Sequence, residues 1–181
     1  DTDRPADSYA LVSKPPFCLR YSAWSPNRRY AALATHPGGW LSIAVDRSGG
    51  GWKQVFDMQD ASPVQSSLAW SPASTQVAFM TDSAKVTVIG TIRMKNGVPE
   101  PPHFYTITST QPTSDSLPVW SPDGQWIAFA AYDAPKQQGG EELYLLKVED
   151  GSVRRLTSNT YRDAYPNWSP DGRDLVFTSA V

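Results

Sequence analysis

Two aspartates, Asp115 and Asp163, each stand five residues before a tryptophan, Trp120 and Trp168. Paired carboxylates brought to one rim by equivalent connections could hold a hard cation such as calcium through oxygen ligands, or grip a basic peptide group. Tyr161 and Arg162 directly precede Asp163, and His36 is the further candidate for the same rim. These five residues are the binding candidates, with Asp115 and Asp163 the metal-ligand pair. The competing reading is that both carboxylates merely cap turns in solvent. The equivalent positions nearer the N-terminus, Leu19 and Gln65, are not acidic.

Catalytic chemistry finds little support. The two histidines, His36 and His103, are far apart in the chain, and neither a G-x-S-x-G elbow nor an H-E-x-x-H helix signature occurs. Eighteen acidic residues could supply a carboxylate pair, but no motif selects one. The chain therefore reads as a non-enzyme. Its one cysteine, Cys18, excludes an internal disulfide and a multi-cysteine metal site. A net charge of −2 with no run of Lys and Arg argues against nucleic acid as a partner. The apolar stretches are only a few residues long, against the roughly 20 that a spanning helix needs.

The elements that would position the candidates follow from a repeat. Trp-Ser-Pro begins at Trp24, Trp70, Trp120 and Trp168, at intervals of 46, 50 and 48 residues. Such a period marks repeated supersecondary units. Seven residues after each Trp stand Ala31, Val77, Ile127 and Leu175, and nine after stand Leu33, Phe79, Phe129 and Phe177. Between them lie Ala32, Ala78, Ala128 and Val176. A strand apolar on both faces, with one face small, is buried on both sides between neighbouring sheets. The four tryptophans and Phe79, Phe129 and Phe177 are accordingly expected to pack between blades.

Ser121 to Gly124 and Ser169 to Gly172 are turn chemistry, Pro fixing φ and Gly supplying positive φ. Asp123 and Asp171 are expected to bond their own turns rather than a ligand. In the third repeat the strands read 117–120, 126–132, 143–148 and 153–157, with Asp150-Gly151 closing the last hairpin. The first repeat contributes 41–45 and 53–56, the second 86–92 and 103–107. We label the four strands of a repeat A to D. The polar B–C loop from Asp133 to Glu142 and the C–D insertion from Arg93 to Pro102 are candidate contact surfaces.

Four strands per repeat make a propeller blade, so the fold class is all-β, a β-propeller of four-stranded antiparallel blades with about four repeats. Residues 1–181 form one domain or propeller fragment. Asp115-Ser-Leu-Pro-Val-Trp120 and Asp163-Ala-Tyr-Pro-Asn-Trp168, each followed by Ser-Pro-Asp-Gly, resemble the TolB-like (WD40-like) propeller repeat. The resemblance is close in repeats three and four and looser in one and two. It implies a non-catalytic scaffold for a protein or peptide partner, in a periplasmic or secreted setting. The alternative is the substrate-gating propeller of a larger peptidase or other hydrolase. The run Tyr9 to Val12 reads as an outer strand, and the last repeat has room for strands A and B only. A larger or incompletely closed ring is expected, completed by further blades or by strand-edge self-association.

Overall fold

The structure is a computed structural model describing residues 18–36, 41–47, 51–58, 68–83, 86–107, 110–111, 117–133 and 140–180. Asp115 and the Tyr9–Val12 segment lie outside the described residues. Among the described residues, sixteen strands form four antiparallel sheets. The first blade orders β1 (Cys18–Trp24), β2 (Tyr30–His36), β3 (Leu41–Arg47) and β4 (Gly51–Met58) side by side. The second holds β5 (Ala69–Trp70), β6 (Gln76–Ser83), β7 (Val86–Lys95), a short β8 (Val98–Pro99) and β9 (His103–Ile107), with both β8 and β9 paired to β7. The third comprises β10 (Thr110–Gln111), β11 (Val119–Trp120), β12 (Trp126–Asp133), β13 (Glu142–Lys147) and β14 (Val153–Arg155). The last sheet pairs β15 (Arg162–Trp168) with β16 (Leu175–Ala180). The described sheets do not close into a ring.

The large-small alternation places strand B of the second and third repeats between two blades. Side chains alternate across a strand, so Val77 and Phe79 join Ala32, Ala34, Leu41 and Ile43 of the blade before, while Ala78 and Met80 join Ile127 and Phe129 of the blade after. Phe79 and Phe129 are fully buried. Each such side chain removed from water contributes about 1.5–3 kcal/mol. Small alanines on the facing surface let the next sheet approach.

The tryptophans tie blade to blade. The indole N–H of Trp70 donates to the carbonyl of Ala23, and that of Trp168 to the carbonyl of Val119 at 3.4 Å. Trp70 and Trp120 are buried and Trp168 is half-buried. Trp24 departs from the expectation at 61% exposure, because no earlier blade stands beside it among the described residues. Phe177 departs too, at 42% exposure. Its counterpart Phe129 is covered by Tyr144 of the adjacent strand, their rings stacked at 5.6 Å, whereas β16 is an edge strand with nothing beyond it among the described residues.

The A–B turns act as expected. Ser121 Oγ donates to Asp123 Oδ1 and accepts from the Trp126 N–H, while the same Asp123 oxygen accepts from Gln125 N–H. Ser169 and Asp171 repeat this pattern with Arg173 and Asp174, and Ser25 with Asn27 reproduces it without an acid. The hydroxyl and amide donors hold both aspartate carboxyls below the usual range. The fourth turn residue takes φ near +60 to +70°, filled by Gly124 and Gly172 but also by Arg28 and Ser74.

The Arg93–Pro102 insertion is more ordered than a proline-stiffened loop. β7 runs on to Lys95, and Asn96 and Gly97, both at positive φ, turn the chain back into β8. Two positive-φ residues in Asn-Gly are the two-residue hairpin turn that suits strand twist. The dipeptide was present in the sequence as its signal.

Candidate functional site

Three of the candidates, Tyr161, Arg162 and Asp163, lie where the D–A connection between the third and fourth sheets meets the start of β13. β14 ends at Arg155, and the chain crosses to β15 through 156–161. Asn159 organises this crossing: its backbone N–H donates to Glu142 Oε1 at 3.0 Å, its Oδ1 accepts from Tyr161 N–H at 2.7 Å, and its Nδ2 donates to Asp163 Oδ2 at 2.7 Å. An Asn that bonds its own backbone two residues on sets a tight turn without further help.

Two glutamates that the sequence reading assigned to a polar loop are buried instead. Glu142 opens β13 and accepts from Arg155 Nη2 at 2.8 Å and Thr157 Oγ1 at 2.7 Å, besides the Asn159 amide. A carboxylate out of water needs such donors, because burying a charge unpaired is costly. Glu141 pairs with Arg162 through Nε at 3.1 Å and Nη2 at 3.3 Å, and its carbonyl accepts from Asp163 N–H at 2.7 Å. Gly140, just before, has no alternative: a Cβ there would sit 1.6 Å from the carbonyl oxygen of Tyr161. The residues 134–139 between lie outside the described set.

Asp163 is fully buried. Burial pushes its carboxyl up, but the Ser179 hydroxyl, the Asn159 amide and the Thr157 hydroxyl outweigh that and hold it below the usual carboxylate range. It is therefore a bonded interior carboxylate and not a turn cap in solvent. Among the described residues no group of three or more His, Cys, Asp and Glu is placed to hold a metal ion. The calcium expectation depends on Asp115, outside those residues.

Tyr161 and Arg162 stand at the outer surface of this buried network. Tyr161 is half-exposed, as is Tyr165 further along β15. The Arg162 guanidinium lies 5.7 Å over the Tyr165 ring. Tyr165 adopts φ +55° where the β15–β16 register slips between Ala164 and Asn167. A bulky residue at positive φ is uncommon, and such conformations persist where surrounding structure holds them. Sequence reading did not single out Tyr165, because only the bulge turns it outward. His36 ends β2 opposite Cys18, at the same end of its blade as this connection but in the first sheet. His103 begins β9 at the opposite end.

Comparison with known proteins agrees with the blade architecture. TolB from Acinetobacter baumannii superposes with a TM-score of 0.61 at 19% identity over 88% of this chain. Hydrazine synthase of Kuenenia stuttgartiensis gives 0.62 at 18% identity over 85%, and a prolyl endopeptidase 0.56 at 14% over 85%. The chain spans 37%, 47% and 24% of those three chains. At these identities the likeness is one of fold. A family model described as the TolB beta propeller domain matches residues 50–181, so the chain belongs to the TolB β-propeller domain family.

Proposed function

We propose that this chain is a non-catalytic, extracytoplasmic scaffold that binds a protein or extended peptide at the Tyr161–Arg162–Tyr165 surface. The carrying observation is that two half-exposed tyrosines flank an arginine whose guanidinium is braced by the buried Glu141 carboxylate. Tyr and Arg are the residue types that dominate binding hot spots, since they offer large contact area and directed donors. Rigid support beneath them lowers the ordering cost of association. Membership of the TolB propeller family supports a role in protein interaction and an extracytoplasmic setting.

The test is selection of binders from a displayed library of linear peptides, followed by affinity measurement on variants. Tyr161→Ala, Arg162→Ala and Tyr165→Ala should each weaken the selected peptides tenfold or more. Selected peptides that bind all three variants as tightly as the parent would place the interaction elsewhere. The extracytoplasmic setting is checked separately, by fractionation of cells carrying the full gene.

A further inference from the structure

A cleft of about 300 Å³ opens between the second and third blades at the end carrying the C–D turns, opposite the Tyr161 surface. Its floor is built across the blade boundary. Tyr105 OH donates to the Val148 carbonyl at 2.7 Å, and the Thr91 hydroxyl bonds the same phenol. Val148 N–H is in turn held by the Gln125 carbonyl at 3.0 Å. Burial raises the Tyr105 phenol, which keeps it in the protonated, donating form. His103 stands edge-on to Tyr105 with centroids 4.5 Å apart, so one wall is aromatic. The hairpin of β7 and β8 forms the other side, pinned by Glu100 N–H donating to the Arg93 carbonyl and Met94 N–H to the Thr75 carbonyl, both at 2.7 Å.

The charges around this cleft are of both signs. Arg93 makes no ion pair among the described residues, while Glu100 and Glu149 touch only outlying lysines, Lys95 at 4.0 Å and Lys147 at 3.2 Å. Both carboxylates are themselves exposed, so these pairs contribute little and leave them able to accept a further donor. A lone anion would meet Arg93 but also two carboxylates. A ligand carrying one carboxylate and one ammonium satisfies all three. Small-molecule sites begin near this volume, which admits a ligand the size of one or two amino-acid residues.

We propose that this cleft binds a zwitterionic amino acid or dipeptide, its carboxylate on Arg93, its ammonium toward Glu100 and Glu149, and its side chain on the His103–Tyr105 wall. The site is separate from the Tyr161 surface, and neither depends on the other. Titration calorimetry of the chain with glycyl-phenylalanine is the test, alongside N-acetylglycyl-phenylalanine, glycyl-phenylalaninamide and inorganic phosphate. The dipeptide should bind with a dissociation constant of about 1 mM or tighter. Capping either end should weaken it at least fivefold, and phosphate should give no heat. Arg93→Ala should abolish binding and Glu149→Gln reduce it, with melting curves unchanged. Equal binding of the acetylated form or of phosphate would reduce the cleft to a plain anion site and overturn the proposal. So would the absence of dipeptide binding.

Discussion

The indole N–H of Trp120 donates to the carbonyl oxygen of Ala69 at 3.0 Å, joining residues 51 apart in sequence and one blade apart in space. Ala69 is the residue before Trp70, and Trp70 makes the same bond to Ala23, the residue before Trp24. The repeated tryptophan is thus a donor that reads the position of its predecessor.

Trp120→Phe keeps an aromatic ring but leaves the Ala69 carbonyl unpaired, which should cost about 1–3 kcal/mol. Trp120→Ala adds a cavity and should cost about 3–5 kcal/mol. Trp24→Phe, at an exposed position, should stay under about 1 kcal/mol. Urea denaturation of the three variants orders them, and a Trp24 effect as large as that of Trp120 would contradict the ladder.

Phe129 and Phe177 occupy the same register position in adjacent repeats yet differ in burial. Phe129→Ala should cost about 3–5 kcal/mol. Phe177→Ala should cost about 1 kcal/mol or less, because much of the ring already meets water. Thermal melts compare them directly. If extending the chain with further blades covers β16, the Phe177 cost should rise toward that of Phe129.

Gly124 holds φ +70° and Arg28 φ +61° at equivalent turn positions. An L side chain in the left-handed region costs about 1–2 kcal/mol. Gly124→Ala should therefore destabilise by about 1 kcal/mol, its methyl meeting only ordinary contact with Pro72 at 3.9 Å. Arg28→Gly should be neutral or mildly stabilising. Opposite signs to these, measured by denaturation, would mean the turns relax to another form.

Asp163 carries the pH dependence of the D–A connection. Its folded carboxyl titrates below the unfolded value of about 4. A depressed carboxylate contributes stability that is present above that unfolded value and is lost as pH falls through the folded one. Asp163→Asn should lower stability at neutral pH by about 1–3 kcal/mol and flatten the acid limb of the melting profile below about pH 4. A variant whose acid limb is unchanged would show that the Asp163 carboxyl is no more acidic in the folded chain than in the unfolded one.

The blade plan was legible because its determinants are local and repeated. Trp-Ser-Pro at a near-constant interval, an alternating large and small strand B, and a Ser-Pro-Asp-Gly turn that satisfies its own donors specify strands, hairpins and facing surfaces within one repeat. Neighbours then need only stack. The roles of Asp123 and Asp171 followed for the same reason, since their partners lie two residues away. Asp163, with Tyr161 and Arg162 before it, lies on the D–A connection that its distance from Trp168 implied. Their chemistry was not implied in this way: Glu141 reaches Arg162 across 21 residues and Glu142 reaches Arg155 across 13, so composition alone read both glutamates as a solvated loop. Phe177 and Trp24 looked equivalent to their counterparts because periodicity records which way a side chain points, not whether a sheet stands opposite. The Tyr105 cleft is likewise tertiary, since Arg93, His103 and Tyr105 come from one blade and Val148 and Glu149 from the next. Burial and charge pairing between distant segments are set by which surfaces meet, and only the folded chain decides that.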